Sequence, residues 1–263
     1  MAVRSMPLTL TAYGLSDKGL VRKNNEDIWG SLQGHKLWIV ADGMGGHQAG
    51  EVASREATLF VESYLKKYFE ENSQQHLALE ELSEKIRTSI EDANKFVYEL
   101  SKSHDLLQGM GTTICCLCFL DDSVIFAHVG DSRIYRLRNK KLQQLTSDHS
   151  LMRELIDLGR MTEKQAENFI YKNIITRAIG TEPEVEVSIE ATQVLVNDLF
   201  ILCTDGLSDL LTQDQIEEVL NKPFTIEERV RYLIAEAKSM GGNDNITVVA
   251  VDVKETNAKE DLS

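Results

Sequence analysis

Short apolar runs rich in β-branched residues constrain this chain more than any other feature. Leu37 to Ala41, Thr113 to Leu120, Val124 to Val129, Ile134 to Leu137, Leu199 to Cys203 and Ile246 to Val251 are all of this kind. Each is too short for a typical helix and too apolar for a surface loop, so each reads as a buried strand. Val185, Val187 and Ile189 alternate with acids, the pattern of a half-exposed strand. Helical spacing is equally plain elsewhere. Ala53, Ala57, Phe60, Tyr64 and Tyr68 recur every three or four residues, as do Leu82, Ile86, Ile90, Ala93, Val97 and Leu100. Ile216 to Leu220 and Ile226 to Ala237 read as helices as well. Strands in groups with helices between the groups predict a layered α+β domain with largely antiparallel sheets.

No Pro-rich or Gly/Ser-rich linker interrupts the chain, so residues 1–253 are expected to form a single domain, followed by a polar tail at 254–263. Leu145 to Gly180 mixes short helical patterns with polar residues and reads as a surface excursion. With 28 Lys and Arg against 42 Asp and Glu, the formal net charge is −14, which argues against binding nucleic acid through its phosphates. The N-terminal residues lack the apolar core and cleavage site of a signal peptide, and no apolar run is long enough to span a bilayer. Three of the four cysteines (Cys115, Cys116, Cys118 and Cys203) crowd one apolar run, as suits reduced, buried thiols in a cytoplasmic protein. Cys115 and Cys118, three apart in a strand, face opposite sides of the sheet and cannot share a metal.

The acids fall where strands end. Asp42 follows LWIVA and precedes Gly43, Asp131 follows VIFAHVG, Asp205 follows LFILCT, and Asp244 precedes ITVVAV. Glu26 and Asp27 close the segment RKNNED. One Asp beside Gly at a strand end marks a turn. Several on one sheet edge would repel, and stay ionised only beside cations. Hard divalent ions with oxygen ligands, Mg²⁺ or Mn²⁺, suit such a site. The missing side chain of Gly43 would let its carbonyl approach a metal. An aspartate bridging two metals would hold an activated water for attack on phosphorus. An acidic protein that handles phosphate also needs a local cation.

The chain resembles the type 2C family of metal-dependent protein phosphatases in its compact bacterial form. The resemblance rests on GLSDKGLVRKNNED at 14–27, ADGMGGHQAGEVAS at 41–54, GMGTT at 109–113 and AHVGDSRIYRL at 127–137. LTSDHSL at 145–151, ITRAIG at 175–180, LCTDGLSD at 202–209 and GGNDNITVV at 241–249 continue it in order. It implies a central sandwich of two antiparallel sheets flanked by helix pairs, with the 145–180 excursion as a flap that influences substrate choice. It implies hydrolysis of phosphoserine and phosphothreonine in proteins by a metal-activated water, without a covalent phosphoenzyme.

Residue by residue, the resemblance implies that Asp42 bridges two core ions, with the Gly43 carbonyl on one of them. Asp205 and Asp244 would complete the other. Glu26 and Asp27 would hold the Gly43-side ion directly or through its waters. Asp131, with Asp205, would bind a third, weaker ion, and Arg22 would bind the substrate phosphate. His47 stands between two readings, a general acid towards the leaving alkoxide or a helix-start histidine bonded locally. Ser147 or Asp148 is expected to cap the helix that follows. The implied partners are phosphorylated proteins and an opposing Ser/Thr kinase, for a cytoplasmic monomer that engages neither nucleic acid nor membrane.

Other phosphatase chemistries leave no signature. A cysteine phosphatase needs Arg six residues after its nucleophile, and those positions hold Asp121, Asp122, Val124 and Asp209. No Gly-Lys dipeptide offers a Walker loop. A small-molecule phosphoesterase and a noncatalytic phosphoprotein binder on the same fold are the remaining alternatives.

Overall fold

The computed structural model describes residues 8–45, 49–166, 169–171 and 174–256. In chain order the elements are β1 (Leu8–Asp17), β2 (Asp27–Leu32), β3 (Leu37–Met44), α1 (Ala49–Glu71), α2 (Leu79–Ser103), β4 (Gly111–Thr112), β5 (Ile114–Leu120), β6 (Ser123–Val129), β7 (Arg133–Arg138) and β8 (Lys141–Gln144). Then come α3 (Leu151–Asp157), α4 (Glu163–Ala166), β9 (Ser188–Gln193), β10 (Leu199–Cys203), α5 (Asp205–Ser208), α6 (Gln213–Leu220), α7 (Ile226–Ser239) and β11 (Ile246–Glu255). One sheet has the order β1-β11-β10-β7-β8 and the other β2-β3-β5-β6-β9, with β4 paired to β3. All strand pairs are antiparallel.

The period-two alternation of the strands sorts their side chains into three apolar layers. Trp38, Val40, Leu117 and Phe126 from one sheet meet Ile134, Phe200, Leu202 and Val251 from the other. Phe119 lies edge-on to both Trp38 and Phe200, with ring centres 5.8 and 5.4 Å away. On the outer faces, Ala53, Ala57, Val61 and Leu65 of α1 and Ile86, Ile90 and Val97 of α2 pack on Ile39, Cys116 and Ile125. Ile216 and Leu220 of α6 and Val230, Leu233 and Ile234 of α7 cover Ile201, Val248 and Ala250. Burying each large side chain contributes about 1.5–3 kcal/mol. The predicted sandwich between helix pairs is therefore observed. Both α6 and α7 start with capping boxes, Thr212 with Gln215 and Thr225 with Glu228.

Three local expectations change. The strand expected from Val185 begins only at Ser188. Val187 is buried, and its carbonyl accepts from Arg87 Nη1 at 2.8 Å rather than from a neighbouring strand. The cap of α3 is Ser150, whose hydroxyl accepts from the Arg153 amide, and neither Ser147 nor Asp148 serves there. Asp148 is instead turned into the fold by Arg133. β11 continues to Glu255, two residues into the stretch expected as tail. Between β8 and β9, α3 and α4 form the excursion, tied down by bridges from Ser150 to Ile175 and from Thr112 to Ile179. Among the described residues, no helix is long and apolar enough to cross a membrane.

Candidate active site

Antiparallel pairing gathers the acids at one end of the sandwich. Asp27 opens β2 directly opposite Asp42, near the end of β3. Ile114, the first residue of β5, pairs with Val129, the last of β6, so Gly130 and Asp131 turn at the same end. In the other sheet Cys203, which ends β10, pairs with Arg133 at the start of β7 and with Val248 near the start of β11. Asp205 and Asp244 flank those positions along the chain. Register places the acids at one end within each sheet, and packing of the two sheets brings Asp42 within electrostatic reach of Asp27, Asp131, Asp205 and Asp244.

Neutral residues hold these carriers in place. Thr113 accepts the Asp42 amide on its hydroxyl at 3.0 Å and donates its own amide to the Asp42 carbonyl at 2.8 Å. The same hydroxyl lies 2.7 Å from Ser132 Oγ, next to Asp131. Thr204 donates to Asp27 Oδ2 at 2.8 Å. Asn245 accepts the Glu26 amide at 2.8 Å and donates to the Lys18 and Asn24 carbonyls, both at 2.9 Å. Ser54 of α1 donates to the Glu26 carbonyl at 2.6 Å. A Cβ at Gly43 would run into the Gly50 and Glu26 carbonyls, so only glycine lets these three backbones meet. Thr113, Thr204 and Asn245 were not expected from the sequence as site residues; each lies within one of the motifs that carry the resemblance.

The electrostatics are those of a crowded anionic site. Burial is the largest cause of every upward shift here, and neighbouring carboxylates add to it. Asp27 is pushed up to about 7, with Asp205 and Asp244 contributing, while hydrogen bonds from Thr247 and Thr204 oppose the rise. Asp131 is also pushed up to about 7, and Asp205 to about 6. Asp42 is raised well above the usual carboxylate range by burial and then by Asp27, Asp205, Asp131 and Asp244. Glu26 is raised by burial, partly offset by Arg22. Asp27 Oδ1 and Asp131 Oδ1 are buried without a hydrogen-bond partner. Among the described residues no three acidic, imidazole or thiol groups close into a finished ligand shell. The two orphaned oxygens and the mutual repulsion nevertheless fit a hard cation, which would satisfy the first and relieve the second.

Arg22 reaches the site as expected, but its Nη2 donates to Asp244 Oδ2 at 2.6 Å. The residue expected to take phosphate and one expected to take metal are therefore paired. Arg22, Lys23, Asn24, Glu26, Gly45 and Asn245 line a cavity of about 340 Å³. A smaller one, about 30 Å³, lies between Asp131, Asp205, Ser208, Asp209 and Ser150, the size of one water or ion. His47 lies outside the described residues. His149 stacks on His128 with ring centres 4.5 Å apart, and its Nδ1 accepts from the Gly130 amide at 3.2 Å. Burial drives His149 down to about 3, so it is a neutral acceptor that seats the flap base beside Asp131. All four cysteines are free and buried, and burial pushes Cys118 and Cys203 up to about 12, which removes them as thiolate nucleophiles. Cys115 packs between the sheets and Cys116 and Cys118 pack under the helices, as strand alternation requires.

Comparison with known proteins agrees with this geometry. The family model described as Protein phosphatase 2C matches residues 19–239. The serine/threonine phosphatase stp of Listeria monocytogenes is 38% identical over 251 residues, covering 94% of this chain and 98% of its own. The crystal structure of the Mycobacterium tuberculosis serine/threonine phosphatase PstP/Ppp superposes with a TM-score of 0.82 at 35% identity, over 93% of this chain and 99% of that one. The catalytic domain of PstP in complex with two manganese ions superposes with a TM-score of 0.79, also at 35% identity, over 94% of this chain and 100% of that one.

Proposed function

The chain belongs to the protein phosphatase 2C family, and from that premise we propose that it hydrolyses phosphoserine and phosphothreonine in proteins. The observation that carries the reading is the convergence of acids from separate strand ends, with two buried oxygens left unpartnered, beside an arginine-lined cavity. Asp42 and the Gly43 carbonyl, with Glu26 and Asp27 on one side and Asp205 and Asp244 on the other, would hold two Mn²⁺ or Mg²⁺ ions. Asp131 and Asp205 would hold a third, more weakly. Bound there, the ions supply an activated water and neutralise phosphoryl charge.

The chain's own residues do the rest. Arg22, anchored beside Asp244, offers its remaining guanidinium N–H groups to the phosphoryl oxygens and fixes the phosphorus over the acidic end. Thr113 and Asn245 pin the backbone of Asp42 and Glu26, and Thr204 holds the Asp27 carboxylate, so little reorganisation accompanies reaction. His47 is the group we assign to protonate the leaving serine or threonine alkoxide. The buried thiols are consistent with a reducing cytoplasm, where a Ser/Thr kinase would supply the substrates to a monomeric enzyme.

The deciding experiment is phosphate release from a phosphothreonine peptide with Mn²⁺ and then with excess EDTA. Release is expected with the ion and is lost on chelation. Arg22→Ala is expected to raise KM for the peptide about tenfold or more, as loss of a charge-assisted hydrogen bond worth about 1.5–3 kcal/mol requires. Release that persists in EDTA would reject the reading.

A further inference from the structure

The cavity beside the acidic end is lined by two cations, and they are not equivalent. Arg22 is committed to Asp244 and feels the charges of Glu26 and Asp42. Lys23 follows it in the chain and lines the same cavity, yet among the described residues it forms no ion pair and no hydrogen bond. Its backbone is not loose. The Leu20 amide donates to the Gly242 carbonyl at 2.8 Å, and Asn245 holds the Asn24 carbonyl at 2.9 Å, so the stretch carrying Lys23 is pinned at both ends. Leu20 and Val21, just before it in the chain, are 62% and 65% exposed, and Glu26, the carboxylate that lines the same cavity, forms no ion pair with Lys23 among the described residues. In a chain of net charge −14, an uncompensated ammonium at the mouth of the site is where an incoming anion is drawn.

We propose that Lys23 is a specificity-determining residue that pairs with an anionic side chain of the substrate close to its phosphorylated residue. The assignment rests on the reading of this site as a phosphoprotein phosphatase. Arg22 takes the phosphoryl group to be removed. Lys23 reads a second negative group within about three residues of it, roughly 10 Å of extended peptide. That group is a carboxylate or a second phosphoryl. The cavity, about 340 Å³, falls within the range of sites that hold more than one small group.

The test compares kcat/KM for phosphothreonine peptides carrying Glu, a second phosphothreonine, Ala or Lys beside the target residue, all with Mn²⁺. Wild type is expected to prefer the anionic peptides over the Ala peptide by about threefold to fivefold at low ionic strength. The preference should fade as salt shortens the Debye length to a few ångström. Lys23→Ala is expected to bring that ratio to about one, and Lys23→Glu to invert it in favour of the Lys peptide. Preference for both anionic peptides assigns recognition to negative charge in general, and preference for one alone identifies which group is read. Equal ratios in wild type and Lys23→Glu would overturn the assignment while leaving the phosphatase reading intact. No Mn²⁺-dependent release from any peptide would overturn both.

Discussion

Asp42→Asn is expected to abolish Mn²⁺-dependent phosphate release, by about 10³-fold or more, and also to stabilise the protein freed of metal. Both effects have one cause. Asp42 stands among Asp27, Asp131, Asp205 and Asp244, and burial, with those four acids, pushes it well above the usual carboxylate range. Replacing it with a neutral isostere removes the carboxylate proposed to serve two cations and the unfavourable burial of a carboxyl group among other acids. The expected gain in EDTA is about 1–2 kcal/mol, or about 2–5 °C in Tm.

The pH dependence follows with a definite sign. Folded Asp27 and Asp131 titrate near 7 and Asp205 near 6, each against a usual value of 3.8. Between pH 4 and 7 the folded state therefore keeps protons that the unfolded chain has lost, so these acids make stability fall as pH rises. In EDTA the advantage of Asp42→Asn over wild type should be larger at pH 8 than at pH 6. His128 and His149, both shifted down, act in the opposite direction but equally in the two proteins, so they cancel in the difference. Mn²⁺ should raise the Tm of wild type far more than that of the variant, because a cation binds where protons have left. Thermal melts at the two pH values, with EDTA and with Mn²⁺, check all of this. A variant that melts below wild type in EDTA, or keeps a tenth of its activity, would sink the account.

The second large effect is structural. Arg133 Nε donates to both oxygens of Asp148, at 2.9 and 3.1 Å, and Nη2 adds a 2.6 Å bond to Oδ2. The side chains are 22% and 9% exposed, so removing one partner leaves a largely buried charge unpaired. Arg133→Met is expected to destabilise the fold by about 3–5 kcal/mol, measured by urea unfolding. Combining it with Asp148→Leu should recover most of that loss, since an apolar pair of similar volume needs no desolvation. A single variant within 1 kcal/mol of wild type would contradict this. The pair lies between Asp131 and the base of the flap, so the single variant should also weaken Mn²⁺ dependence of activity.

Much of the fold was legible because its signals are local. β-branched runs, helical spacing and the Asp or Gly closing a strand each fit within a dozen residues. β1 carries an alternation of Leu8, Leu10 and Ala12 with threonines, but a half-exposed strand at the chain's end has too few apolar positions to stand out. β8 is four residues with one buried side chain, and periodicity cannot find it. The acids were legible as candidates, and register with sheet packing then brought them together. Their supports were not, because Thr113, Thr204 and Asn245 act through bonds between residues far apart in sequence. Asp148 shows the same limit. Next to a helix start it resembles a cap, and only the fold reveals Arg133 as its partner.

β11 lies between β1 and β10, so among the described residues the strand highest in sequence joins the lowest to the rest of its sheet. Asn245, next to it, is also what fastens the Arg22 loop and Glu26. Without this strand, β1 and β10 would each present an unpaired edge. Such edges expose backbone to proteolysis and to pairing with other chains. One strand thereby both closes the sheet and leads out of the segment that fastens the acidic end.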